Sequence, residues 1–230
     1  MTTAIDQLAQ LPPPVPAPPS AGLEAELAKL TPVAPRRPVR QLVVLSLVSL
    51  AYAGAIFAML TIRRDVHELP IAWMVCVGLT WLVGFIAPLY FATVPRAGQI
   101  VPRWQLAGLA SIIGAIGFIG LGLMIHPSGP HSASLDWEHF GRGYGCLEFG
   151  LATALVPVVI GAMFLRGALP VGSRWVAAAL GAGGGSLGGL MLHLHCAITD
   201  GAHIGLMHGG VVGVSALLAA ALVPRVTQLR

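Results

Sequence analysis

Charge is what this sequence has least of. Only 10% of its 230 residues are Asp, Glu, Lys or Arg, against about 25% in a soluble domain. With 56% hydrophobic residues and a mean hydropathy of +0.81, that shortage excludes an ordinary soluble fold and describes a membrane protein. Blocks of like charge are missing too. The net charge of +4 comes from arginines scattered beside apolar runs, the pattern of membrane topology signals, and no direct contact with nucleic acid is expected. The first 40 residues lack the apolar core and cleavage site of a signal peptide. No internal repeat is evident. No charge sits at the middle of an apolar run, which argues against an ion-relay transporter.

The long apolar runs are what is there. Six of them, 41–62, 71–92, 104–125, 146–166, 174–194 and 203–223, each approach the roughly 20 residues that cross a bilayer. They lack the alternation of a barrel strand, and backbone satisfaction in lipid then requires helices. The expected fold is an all-α membrane protein, a bundle of six transmembrane helices over 41–230 behind a mostly disordered cytoplasmic arm over 1–40. The lipid bilayer is its first partner. Lys29, Arg36, Arg37, Arg40, Arg96, Arg103, Arg166, Arg174, Arg225 and Arg230 fall on one side, and only Arg63, Arg64 and Arg142 on the other. That bias places both termini in the cytoplasm. Arg63 and Arg64 are the discordant pair, partly offset by Asp65 and Glu68.

The arm differs in kind. TAIDQLAQL, with Ile5, Leu8 and Leu11 as an apolar stripe, precedes the polyproline spacer PPPVPAPP and then SAGLEAELAKL, where Leu23, Leu27 and Leu30 share a face. Each helical piece is near or below the roughly 12–15 residues at which an isolated helix is even marginal. Two readings stand: a docking arm that folds on a cytoplasmic partner through Ile5, Leu8, Leu23, Leu27 and Leu30, or a floppy tail or weak membrane-surface helix.

Cysteine is scarce as well, with three in the chain, too few for a disulfide scaffold and in no standard zinc spacing. Their placement is what matters. Cys146, Cys196, His195 and His203 fall on or near the outer face, and His193 and His208 just inside it. No cysteine or histidine falls on the cytoplasmic side. His139 and Cys76 are weaker members of this layer. Cys146 and Cys196 come within reach of a disulfide if their helices pack together. His193 and Cys196, three apart, share a face of a continuing helix, and His195, His203 and His208 complete a nitrogen and sulfur set suited to zinc or copper. Three readings stand: interfacial side chains bonded to one another and to water, a thiol or metal sensor, or a haem site between His193 and His208. Below this layer the run GAGGGSLGG spaces Gly181, Gly185 and Gly189 by four, and likewise Gly184 and Gly188, a pattern that lets helices approach closely.

LTPVAPRRPVR leads into the spans; CLEFGLATALVPVVIGAMFLRGALPVGSRWVAAALGAG follows, then LHLHC and a last helix. This arrangement resembles the NrsF-type family of six-helix bacterial anti-sigma factors. The resemblance runs from about Leu30 to Arg230 and is strongest from Cys146 to Cys196. It implies a regulator, not an enzyme, in the bacterial inner membrane. Such a regulator holds an extracytoplasmic-function sigma factor and releases it on an envelope, oxidative, metal or light-derived stress. Regulators of carotenoid synthesis share the plan. It also implies that Cys146 and Cys196 match the family's two outer cysteines, which serve in sensing, and that His195 matches the histidine before the second. The chain departs from the family at Ala197, Ile198, Thr199 and Met207-His208. The alternative from another class is a haem- or metal-binding membrane protein or enzyme that uses the outer histidines.

Overall fold

A computed structural model describes residues 21–29, 36–95, 98, 100–125, 143–166 and 173–227. Among them every regular element is a helix. Contacts divide the chain into two units, Met1–Arg36 and Arg37–Arg230. The first contributes α1 (Ala21–Ala28). Leu23 is exposed on it, and Leu27 lies one turn further on. Its Lys29–Glu26 ion pair, at 2.6 Å, is exposed on both sides, so it adds little stability. Ile5, Leu8 and Leu30 lie outside the described residues, as do His126, His131 and His139.

The second unit is a helical bundle. Its elements are α2 (Pro38–Met59), α3 (Ile71–Thr93), α4 (Arg103–Met124), α5 (Tyr144–Leu165), α6 (Ser173–His195), then a π-helical segment (His203–Gly209) that runs into α7 (Gly210–Thr227). Among the described residues six spans are long and apolar enough to cross a membrane, the last being His203–Thr227. The four middle spans start and end within two residues of the expected positions. The first starts at Pro38 rather than 41, because proline in the first helical turn lacks only a donor that the helix would not use. It ends at Met59 rather than 62, because Leu60 turns extended (φ −99°, ψ 161°) and leads the chain back over α6. The last runs on past 223, through Pro224 to Thr227.

α6 is the axis of the bundle. It touches all the other spans, and almost every residue from Val176 to His193 is buried. Its glycines explain how. Added to Gly185, a Cβ would lie 2.7 Å from Val212 Cα of α7; on Gly184, 2.8 Å from the Ala154 carbonyl of α5; on Gly183, 2.8 Å from Leu89 of α3. Gly181 faces α7 with Gly185, and Gly188 faces α5 with Gly184. Gly189 leaves the expected Gly181–Gly185 row and receives the Trp81 ring of α3. Without a hydrophobic drive between helices in lipid, such close approach supplies the packing energy. The hydroxyls of Thr93, Ser111, Thr153, Ser186 and Thr227 each donate to the carbonyl four residues back, which satisfies them inside apolar surroundings.

Candidate functional site

Cys146 lies in the first turn of α5 and Cys196 just past the last residue of α6. Leu192 O still accepts the Cys196 N–H at 2.8 Å, so the cysteine is held as if the helix continued. α5 and α6 pack against each other, and their thiols meet with Sγ atoms 3.7 Å apart. Both cysteines are free thiols in this structure. A disulfide requires a separation of about 2.05 Å, so a small movement and a two-electron oxidant would join them. Cys196 is buried and Cys146 half-buried.

Two histidines of the last span complete the group. His203 Nε2 lies 3.4 Å from Cys196 Sγ, and the His203 and His208 rings meet edge-on with centroids 5.0 Å apart. One donor atom from each of Cys146, Cys196, His203 and His208 lies within 4.8 Å of the others. His203 is wholly buried and His208 nearly so. Asp200 Oδ1 accepts the His203 backbone N–H at 2.8 Å, which caps the start of the span. Gly143, before α5, backs the cluster: a Cβ there would come within 2.9 Å of His203 Nδ1. The Cys146 thiol, aimed at Cys196, pulls the Cys196 thiol below its ordinary range; burial opposes this, and the neighbouring His203 and His208 rings add to it. A thiol so placed is the more reactive of a pair.

His193 and His195 stand apart from this group. His193 Nε2–H donates to the Met74 carbonyl of α3 at 3.1 Å, and its ring packs on Trp73 at 4.9 Å. His195 Nδ1–H donates to the Thr61 carbonyl at 2.6 Å. Cys76 is exposed on α3 and is not one of the four.

Sequence reasoning missed Arg63. It is 3% exposed. Its Nε and Nη2 donate to the two Asp65 oxygens at 2.8 and 2.7 Å, and its Nη1 donates to the His193 carbonyl at 3.2 Å. Its backbone N–H takes the Leu194 carbonyl at 3.1 Å, and the guanidinium lies 5.8 Å from the Trp73 ring centre. Arg63 therefore caps the C-terminal carbonyls of α6, where a cation is favoured. Its hydrogen bonds hold the Asp65 carboxyl below the usual carboxylate range. The signal was available: an arginine on the wrong side of the charge bias, two residues from an aspartate.

A family model described as NrsF, negative regulator of sigma F, matches residues 27–228. The chain belongs to this family. The match takes in every described span and all four members of the Cys–His cluster. As an NrsF family member the chain is a negative regulator of a sigma factor, with the helices of a multi-pass membrane protein. Among curated proteins and among solved structures no significant match was found.

Proposed function

We propose that this NrsF family member is a membrane-bound anti-sigma factor for an extracytoplasmic-function sigma factor, and that it is not an enzyme. It sits in the bacterial inner membrane with both termini in the cytoplasm. The arm before the bundle holds the sigma factor away from RNA polymerase. A chemical event at the outer Cys146–Cys196 pair lowers that hold. The observation that carries this reading is the meeting of the two thiols of a sigma-factor regulator, 3.7 Å apart, at the end of the one helix that touches all the other spans. A change there has a short route inward. α6 leads down its glycine faces, and Arg63 ties the end of α6 to the loop after α2, the helix that follows the arm. The coupling needed is modest, since a tenfold change in affinity is about 1.4 kcal/mol.

The test is affinity capture of the tagged protein from its native membrane. A sigma factor should come with it, and its absence under unstressed conditions overturns the reading. The soluble peptide 1–40 should bind that sigma factor and gain helix on binding. Leu27→Asp should weaken binding strongly, because it puts a charge in the apolar stripe. Full-length binding with no contribution from the peptide would move the docking site elsewhere.

A further inference from the structure

The last span opens with a π-helical turn, His203–Gly209. In an α-helix, residues five apart point roughly 140° away from each other, at 3.6 residues per turn. The wider π turn, with its i→i+5 bonds, brings them close to register. His203 and His208 are five apart, and this turn sets their rings side by side. α4 holds the turn in place. A Cβ on Gly205 would lie 2.9 Å from the Ile119 carbonyl, and one on Gly209 2.8 Å from the Ile119 nitrogen. Those two glycines let the π turn lie directly on the α4 backbone. Such turns are frequent at functional sites, and here the histidine pair faces Cys146 and Cys196.

We propose that Cys146, Cys196, His203 and His208 form a closed, four-coordinate binding site for a divalent ion of the zinc type. The spacing supports it. With Zn–S near 2.3 Å and Zn–N near 2.0–2.1 Å, tetrahedral geometry separates two sulfurs by about 3.8 Å and a sulfur from a nitrogen by about 3.6 Å. The structure has 3.7 Å for Cys146 Sγ to Cys196 Sγ and 3.4 Å for Cys196 Sγ to His203 Nε2. Charge supports it as well. Two thiolates and two neutral imidazoles around a doubly charged cation make a neutral group, the kind that burial tolerates. Unsatisfied atoms are the third support. His208 Nε2 is buried without a hydrogen-bond partner, a costly arrangement for packing alone that ligation of an ion would relieve. His203 Nδ1 and Asp200 Oδ2 are buried without partners too, an imidazole nitrogen and a carboxylate oxygen of the kind that pair behind a metal ligand. Binding balances as two thiols plus the dication giving the dithiolate complex and two protons. The ion ties the start of α5 to the end of α6 and to the last span. That its loading sets the hold on the sigma factor rests on the reading above; the binding itself does not.

The experiment uses the purified full-length protein in lipid nanodiscs under reducing conditions, with cobalt(II) as the spectroscopic probe. One cobalt per chain should bind, with the strong visible bands of a tetrahedral ion and a thiolate-to-cobalt charge-transfer band, and zinc should displace it. Cys146→Ser, Cys196→Ser, His203→Gln and His208→Gln should each weaken binding more than about tenfold, the loss that even an outer-shell partner can cause. His195→Gln should leave it unchanged. Zinc should raise the Tm of the unsubstituted protein and not that of Cys146→Ser, a reading that holds even if a histidine variant folds poorly. Weak octahedral-type bands, the absence of stoichiometric binding, or wild-type binding in His208→Gln would overturn the proposal. Sigma-factor capture is scored separately: its failure sinks the anti-sigma reading, while the cobalt spectrum alone decides this one.

Discussion

α6 and α2 have nearly the same length, 23 and 22 residues, yet they solve opposite problems. The apolar window of α6 is 89% buried within the protein, that of α2 only 17%. α6 is also the least apolar of the six spans. A helix enclosed by protein is selected for small side chains that admit neighbours, whereas a helix facing lipid must itself be greasy. Hydropathy therefore ranks these helices almost in reverse of their structural importance. The helix with the weakest membrane signal carries the fold, and its C-terminal end carries the thiol site.

The largest expected effect follows from this contrast. Gly185→Val would drive a branched side chain into the α7 backbone, where even a Cβ lies 2.7 Å from Val212 Cα and 2.8 Å from the Val211 carbonyl. Neither neighbour is a flexible side chain. The cost should reach about 3 kcal/mol or more. The check is the amount of folded protein recovered from membranes, with thermal unfolding in detergent. A variant of unchanged abundance and Tm would show that α6 has slack and would remove it as a tight link between the site and the rest of the bundle.

A smaller loss is expected at the clamp on the end of α6. Arg63→Ala removes the charged donors to Asp65 and the His193 carbonyl, which should cost about 2 kcal/mol. If the clamp also transmits the signal, the variant should blunt release of the sigma factor in response to oxidant while the Cys146–Cys196 pair remains intact. A sigma-dependent reporter reads this directly, and a normal response would confine Arg63 to stability. The pair has a pH signature as well. The Asp65 carboxyl is held below its ordinary value by Arg63, so its contribution is complete above the unfolded value of about 3.9. It is lost as pH falls through the lower, folded value. The Tm difference between the unsubstituted protein and Asp65→Asn should therefore be constant from pH 7 to about pH 5 and shrink only in stronger acid. A difference that varied across neutral pH would point to another titrating group.

These contrasts also mark what the sequence could reveal. The spans were legible because a bilayer requires long uncharged runs whatever the tertiary contacts. Cys146 and Cys196 could be placed at helix ends for the same reason, and two of the glycine faces of α6 could be read from spacing of four. The partners of the thiols were not legible. His193 stands three before Cys196, which on a continuing helix implies a shared face, and the helical turn does continue to Cys196, but the His193 ring is taken by the Met74 carbonyl of α3. His203 and His208 stand five apart, a spacing that an α-helix would point apart, and only the π turn brings them together. That turn lies where Gly205 and Gly209 meet α4, a tertiary fact that no local pattern in the last span carries. Arg63 was hidden differently: counted as a topology signal, it is a buried structural cation.

The smallest effect gives the cleanest comparison, because the same chemical change is made in both helices. Gly54 in α2 is exposed to the surroundings of the bundle, and a Cβ there would meet nothing within 4 Å. In α6, a Cβ on Gly181 would collide with the Ser215 carbonyl and with Ala216 Cα of α7. Replacing glycine by alanine in an open helical position removes backbone freedom from the unfolded chain and gains up to about 1 kcal/mol. Gly54→Ala should thus be neutral to slightly stabilising, by less than about 1 kcal/mol. Gly181→Ala should be destabilising, because the α6–α7 backbones must separate to admit one methyl group. Thermal unfolding of the two variants side by side, in the same detergent, reads the sign. Opposite signs would establish that glycine in α6 is there for contact and glycine in α2 is not. If both variants were neutral, α6 and α7 would be able to shift past each other at low cost. The His203–His208 end of the last span would then move independently of the thiols it faces, so the site could open without disturbing the bundle.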